Sequence, residues 1–246
     1  MFVLALESSA KPVSVSLLRD GTVLASAYEN EGLTHSVTLM PMVARVLSDA
    51  GITVNEVDWL AAAAGPGSFT GLRIGAGTLK GLAWAAEKPC AAVSTLLAMA
   101  CLHLNFDGIV CPAMDARRSQ VYTALFDTSS GSVRRLAADE AIGLDALMER
   151  LAQAGRPVLF VGDGAALAAE AAAACQLPVP CSVPAGEACF QHADGVALAA
   201  WLAISGQAVD GVTLTDADRF RPAYLRLAQA EREKLEREQR AKGCQA

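Results

Sequence analysis

Histidine is scarce in this chain. Only His35, His103 and His192 occur in 246 residues, and no two form H-x-x-x-H or H-E-x-x-H. A helical histidine pair is the simplest sequence sign of a catalytic zinc, so that class of metalloenzyme has no motif here. No G-K-[ST] follows the glycine-rich turn near residue 65, which removes the phosphate-binding P-loop. Ser68 sits in P-G-S-F, not in a G-x-S-x-G elbow, and no complete nucleophile–base set can be assembled. Basic charge is also short: 20 Lys and Arg stand against 26 Asp and Glu, a net charge of −6. That balance argues against a broad nucleic-acid footprint and leaves room only for a local basic patch. No apolar run stays clean for the 18 or so residues that a membrane span needs; the best stretch, 72–86, contains Arg73, Lys80 and glycines. Seven cysteines, an odd number without regular spacing, read as reduced thiols. Cys175, Cys181 and Cys189 match no standard zinc spacing. With no basic leader before the first apolar run, the expectation is a cytoplasmic protein with no membrane attachment.

What is present is apolar and small. Hydrophobic residues make up 53% of the chain and charged residues 19%, the composition of a well-buried globular protein. The organising stretch is Gly65 to Ala86, G-P-G-S-F-T-G-L-R-I-G-A-G-T-L-K-G-L-A-W-A-A. A strand-like run at 59–64 leads into a turn and then a helix, with Ser68 or Thr70 able to cap it. The helix carries Gly71, Gly75, Gly77 and Gly81, each about 0.8–1.0 kcal/mol worse than alanine in a helix interior. Each pair is spaced by four and lines one face. Something must offset that cost: either close packing within the domain or a partner backbone. The turn also suggests anion binding at a helix start, but Thr70 occupies the last glycine slot of G-x-G-x-x-G, so the signal is weak.

Along the chain, 2–6, 13–18 and 22–28 read as strands, with Asp20-Gly21 as a hairpin turn. The segment 35–50 reads as a helix with an apolar stripe, and Gly51 as its stop. Pro41 is tolerable there if Thr38 caps the helix. Strand 59–64, the glycine helix, a strand at 91–93 and a helix at 94–104 complete a first half. The second half repeats the order: strands at 109–114, 120–126 and 133–137, a helix at 144–154, a strand at 158–161 and a helix at 165–174. The segment 175–190 reads as a loop and 193–205 as a last helix. The expected domains are 1–106 and 107–226, with helix 193–205 able to return to the first, followed by a charged helical or frayed tail at 227–246.

The run G-P-G-S-F-T-G-L-R-I-G (65–75) closely resembles the signature of the bacterial TsaB (YeaZ) family. Other stretches agree in order: V-L-A-L-E-S-S (3–9), His35 with L-M-P-M-V (39–43), V-S-T-L (93–96), M-D-A-R-R-S-Q-V-Y (114–122), V-G-D-G (161–164) and R-P-A-Y-L-R (221–226). The resemblance implies an α/β fold of two actin-like ATPase (ASKHA, RNase H-like) domains, matching the repeated βββαβα order. It implies a non-catalytic partner of TsaD that works with TsaE in N6-threonylcarbamoyladenosine formation at tRNA position 37. TsaC would supply the threonylcarbamoyl adenylate, and tRNA would be met only through the complex. The related TsaD proteins carry a histidine pair on the helix corresponding to 94–104, where this chain offers only His103.

Family pairing uses the two helices of the first half, which places Val37, Met40, Met42, Val43, Gly71, Leu72, Arg73, Gly75, Gly77 and Gly81 on the expected partner face. The same surface would serve a homodimer when the chain is alone. Arg73 is either an interface cation or a solvated charge. Gly75→Leu is expected to leave the monomer folded and to abolish pairing. Glu7 and Asp115 end the first strand of each half, where the superfold turns acids toward a nucleotide's metal and phosphates. The ordinary alternatives are turn capping and pairing with Arg117 or Arg118. Ser8, Ser9, Gly162, Asp163 and Gly164 complete the candidate nucleotide-facing set. No intrinsic cofactor or metal is expected; ATP or ADP with Mg²⁺ would belong to the complex interface. The rival readings are a stand-alone actin-like ATPase or kinase, a metallopeptidase, and an RNA-binding module, which the acidic charge fits poorly.

Overall fold

The structure, a computed structural model, describes residues 1–32, 34–117 and 119–225; the charged tail lies outside them. The first half runs β1 (Phe2–Glu7), β2 (Val13–Arg19), β3 (Thr22–Glu29), α1 (His35–Asp49), β4 (Trp59–Gly65), α2 (Phe69–Ala86), β5 (Cys90–Ser94) and α3 (Thr95–Cys101). The second runs β6 (Ile109–Asp115), β7 (Gln120–Asp127), β8 (Arg134–Gly143), α4 (Leu144–Ala154), β9 (Val158–Val161), α5 (Ala165–Ala174), β10 (Cys181–Ser182) and α6 (Ala193–Ile204). A last strand, β11 (Val212–Thr215), returns to the first sheet. The repeat is thus longer than expected: βββαβαβα occurs twice. Sheet order is β11-β5-β4-β1-β2-β3 in one half and β10-β9-β6-β7-β8 in the other. In each, the first three strands form an antiparallel meander and the next two add in parallel to the first. This duplicated arrangement is the actin-like, RNase H-like plan.

The layering follows from strand periodicity. In β1, Val3 and Ala5 face α3 and α6, whereas Leu4 and Leu6 face α1 and α2. A strand buried on both faces must be apolar throughout, which is why β1 and β4 read as unbroken runs. The second sheet repeats this, with Ile109, Cys111 and Ala113 facing α4 and α5, and Val110 and Met114 facing the middle layer. In that middle layer α6 crosses α3 so closely that a Cβ on Gly195 would lie 2.1 Å from the Ala98 carbonyl oxygen. Helix α6 also ties to the first sheet, where the Ala193 N–H donates to Ser14 Oγ at 2.8 Å.

Several elements depart from the sequence reading. Helix α1 starts at His35, with Thr34 and not Thr38 in the N-cap position and no side-chain cap bond, so Pro41 lies inside the helix and removes one i→i−4 bond. Helix α3 stops at Cys101, which leaves His103 in the following turn. Strand β8 extends to Gly143 because its acids are taken up: Asp139 pairs with Arg135 and Glu140 with Arg150. Segment 175–190 contains the two-residue β10 and a 3-10 turn at Gly186–Cys189. No helix among the described residues is long and apolar enough to cross a membrane.

Candidate functional site

The turn after β1 and the start of α2 are built against each other. A Cβ on Gly71 would lie 2.0 Å from the Ser8 carbonyl oxygen, one on Gly75 2.4 Å from Ser8 Oγ, and one on Gly67 2.4 Å from the Ser9 carbonyl oxygen. The Ser8 hydroxyl donates to the Gly71 carbonyl at 2.9 Å, and the Ser68 N–H donates to the Ser9 carbonyl at 2.6 Å. Ser68 caps α2 by accepting from the Gly71 N–H at 3.3 Å. The cost of Gly71 and Gly75 is therefore offset inside the chain.

Gly77 and Gly81 behave otherwise. An added Cβ at either meets nothing within 4 Å among the described residues. They lie on the exposed strip of α2 with Arg73 and Trp84, the latter 60% exposed. Beside them, α1 exposes Val37 (69%) and Met40 (46%). Met42, Val43, Leu72, Gly71 and Gly75, which the sequence reading put on the partner face, are instead buried in the chain's own core. That also corrects the expectation for Gly75→Leu, whose side chain would be driven into Ser8. Sequence reasoning missed Trp84, although it stands three and seven residues beyond Gly81 and Gly77.

Arg73 makes no ion pair among the described residues. Its guanidinium lies 3.9 Å from the centroid of the Phe69 ring, and Phe69 in turn packs on Tyr224 at 4.7 Å. A cation over an aromatic face is attracted by the ring quadrupole, so Arg73 is held at the edge of the exposed strip.

Behind this face lie the expected nucleotide-facing residues. Glu7 is fully buried. Its Oε1 accepts the Ser9 N–H at 2.6 Å, and Oε2 has no partner. Burial pushes the Glu7 carboxyl above its ordinary range, partly opposed by the Ser9 hydrogen bonds and the charge of His192. The His192 ring stacks on Tyr28, centroids 5.1 Å apart. Asp115, at the matching place in the second half, is exposed and accepts the Arg117 N–H at 2.7 Å. The Gly162–Gly164 turn abuts it: a Cβ on Gly164 would lie 3.0 Å from the Asp115 nitrogen. Asp163 accepts from Gln191 Nε2 at 3.3 Å.

A magnesium ion keeps several waters and is held by one or two ionised carboxylates. Glu7, with no exposure and a carboxyl whose charged form is penalised by burial, does not fit that role, and the Ser8–Ser9 loop is covered by α2. Among the described residues no group of three or more His, Cys, Asp or Glu side chains converges as a metal site.

Comparison with known proteins places this geometry. A family model described as TsaD, tRNA N6-adenosine threonylcarbamoyltransferase, matches residues 29–234. The tRNA threonylcarbamoyladenosine biosynthesis protein TsaB of Bacillus subtilis strain 168 is 38% identical over 167 residues, covering 68% of this chain and 73% of that protein. Its Escherichia coli K12 namesake is 36% identical over 167 residues, covering 67% and 72%. A solved Pseudomonas aeruginosa protein, described as similar to peptidase YEAZ, superposes with a TM-score of 0.73 at 31% identity, covering 92% of this chain and 99% of that one.

Proposed function

We propose, from the premise that this chain belongs to the TsaB (YeaZ) family and so serves tRNA threonylcarbamoyladenosine biosynthesis, that it does so as a non-catalytic partner subunit. It binds TsaD through the outer face of α1 and α2 and, together with TsaE, keeps the transferase in working shape. The observation that carries this reading is the bare strip at Gly77 and Gly81. Two glycines are kept mid-helix, each at about 0.8–1.0 kcal/mol, where nothing among the described residues requires them. Beside exposed Val37, Met40 and Trp84 they leave an apolar surface on which another helix can approach closely. In the isolated protein a second copy would compete for the same face. Any ATP, ADP or Mg²⁺ acts at the complex interface, and tRNA is engaged by the assembly, in keeping with a net charge of −6. The work takes place in the cytoplasm.

The test is an omission assay. TsaC, TsaD, TsaE, ATP, threonine, bicarbonate and unmodified tRNA are combined with and without this protein, and modified adenosine is counted. Modification only in the full mixture, lost with Gly77→Leu/Gly81→Leu, is the expected result. Modification unaffected by omission, or ATP hydrolysis by the lone chain, would replace this reading with that of an independent actin-like ATPase.

A further inference from the structure

We infer that the cavity between β11, the end of β4 and the returning segment 216–225 binds a phosphate group. The cavity holds about 390 Å³, within the size range of small-ligand sites. Its outer wall is fixed. The Ala223 N–H donates to the Ala64 carbonyl at 2.6 Å, and Phe220 is buried under the segment. At Gly65 (φ +120°) the wall is so near that a Cβ would lie 2.2 Å from the Ala223 carbonyl oxygen.

Donors face this space with little else to do. Thr213 and Thr215, two apart on β11, share one face, and neither hydroxyl has a hydrogen-bond partner among the described residues. Arg221 is anchored through Nη1, which donates to the carbonyl oxygens of Asp218 and Phe220, leaving Nε–H and Nη2 without acceptors among the described residues. Arg219 is 85% exposed, with only a 3.7 Å contact to Asp216. The one acid on the opposite wall, Asp139, is already neutralised: it accepts from Ser94 Oγ at 2.6 Å and pairs with Arg135. The lining thus carries two cations, Arg219 and Arg221, against one acid that is already ion-paired. An anchored guanidinium fork with adjacent hydroxyls suits a tetrahedral oxyanion, to which charge-assisted bonds are short and strong. This also gives a role to Arg221, the first residue of R-P-A-Y-L-R, whose Tyr224 packs on Phe69 beside Arg73.

Calorimetric titration of the full chain tests the inference with three probes: inorganic phosphate, AMP and a short oligoribonucleotide. Saturable binding is expected, weakened about tenfold by Arg219→Gln, by Arg221→Gln and, less strongly, by Thr213→Val. Arg219 is exposed and Thr213→Val keeps a β-branched strand residue, so neither variant risks the fold as Arg221→Gln does. Tightest binding of the oligoribonucleotide with a steep salt dependence would assign the phosphate to RNA; tightest binding of AMP would assign it to a free nucleotide. No saturation by any probe, or saturation unchanged in Arg219→Gln and Thr213→Val, would overturn the inference.

Discussion

The glycines of α2 offer a quantitative test, because two pairs in one helix should respond to alanine with opposite sign. At Gly77 and Gly81 the new methyl groups meet no atom within 4 Å. Only the propensity gain of about 0.8–1.0 kcal/mol each then acts, or roughly 1.6–2 kcal/mol for the double variant. For a chain of this size each kcal/mol shifts Tm by about 2–4 °C. The double variant should therefore melt about 3–8 °C higher, measured at low protein concentration so that self-association does not contribute. At Gly71 the Cβ would sit 2.0 Å from a backbone oxygen, against 3.4 Å for ordinary contact. Relief requires the Ser8 carbonyl to retreat by 3.4 − 2.0 = 1.4 Å, moving the turn that holds Glu7 and Ser9. Overpacking of this kind costs about 1–3 kcal/mol or more, so Gly71→Ala should lose at least about 1 kcal/mol despite its better propensity. Urea melts of the three proteins decide the matter. A Gly71→Ala as stable as the parent would refute the close approach of α2 to Ser8. A destabilised Gly77→Ala/Gly81→Ala monomer would show that these glycines do have an internal use. If the reasoning holds, the more stable double variant should be the poorer partner, since its methyl groups stand on the pairing face.

Two further outcomes follow from burial. The Glu7 carboxyl is held above its ordinary 4.5, so the folded chain keeps a proton that the unfolded chain has released. That contribution is complete below about pH 4.5 and is lost as pH rises through the window above it. Glu7→Gln, which retains an acceptor for the Ser9 N–H, should be more stable than the parent near pH 7 and lose that advantage toward pH 4. Parallel stability–pH curves would contradict the assignment. Among the cysteines, burial pushes the Cys101 and Cys111 thiols up to about 12, whereas Cys175 and Cys181 are exposed. A maleimide should label Cys175 and Cys181 in the native protein and reach Cys101 and Cys111 only on unfolding; mass spectrometry showing equal rates would count against the packing of Cys101 in the middle layer and of Cys111 against α4 and α5.

Much of the fold was legible because it is locally encoded. The apolar runs of β1 and β4, the hairpin turn at Asp20-Gly21 and the bounds of α4 and α5 all follow from periodicity and turn residues. The strands that were misjudged or missed had non-local causes. Strand β8 looked too acidic to continue, and its Asp139 and Glu140 are tolerated because Arg135 and Arg150 meet them. Strand β11 is too short to announce itself and exists by pairing with β5, more than a hundred residues away. Helix α1, expected over 35–50, spans His35–Asp49, and Pro41 sits on its exposed side.

The sequence by itself determined the order of elements, their duplication and the family, since each of these is written in short-range pattern or motif. Only the tertiary structure decided sidedness. Gly71 and Gly75 differ from Gly77 and Gly81 in nothing that spacing or composition reveals; what separates them is contact with Ser8, more than 60 residues earlier in the chain. The same holds for Glu7, whose protonation preference is set by the helix and strands that close over it, and for Arg221, which becomes a wall of a cavity only once segment 216–225 lies across the end of β4. One-dimensional pattern fixes what each segment is; which of its faces is left for a partner depends on what the rest of the chain has already covered.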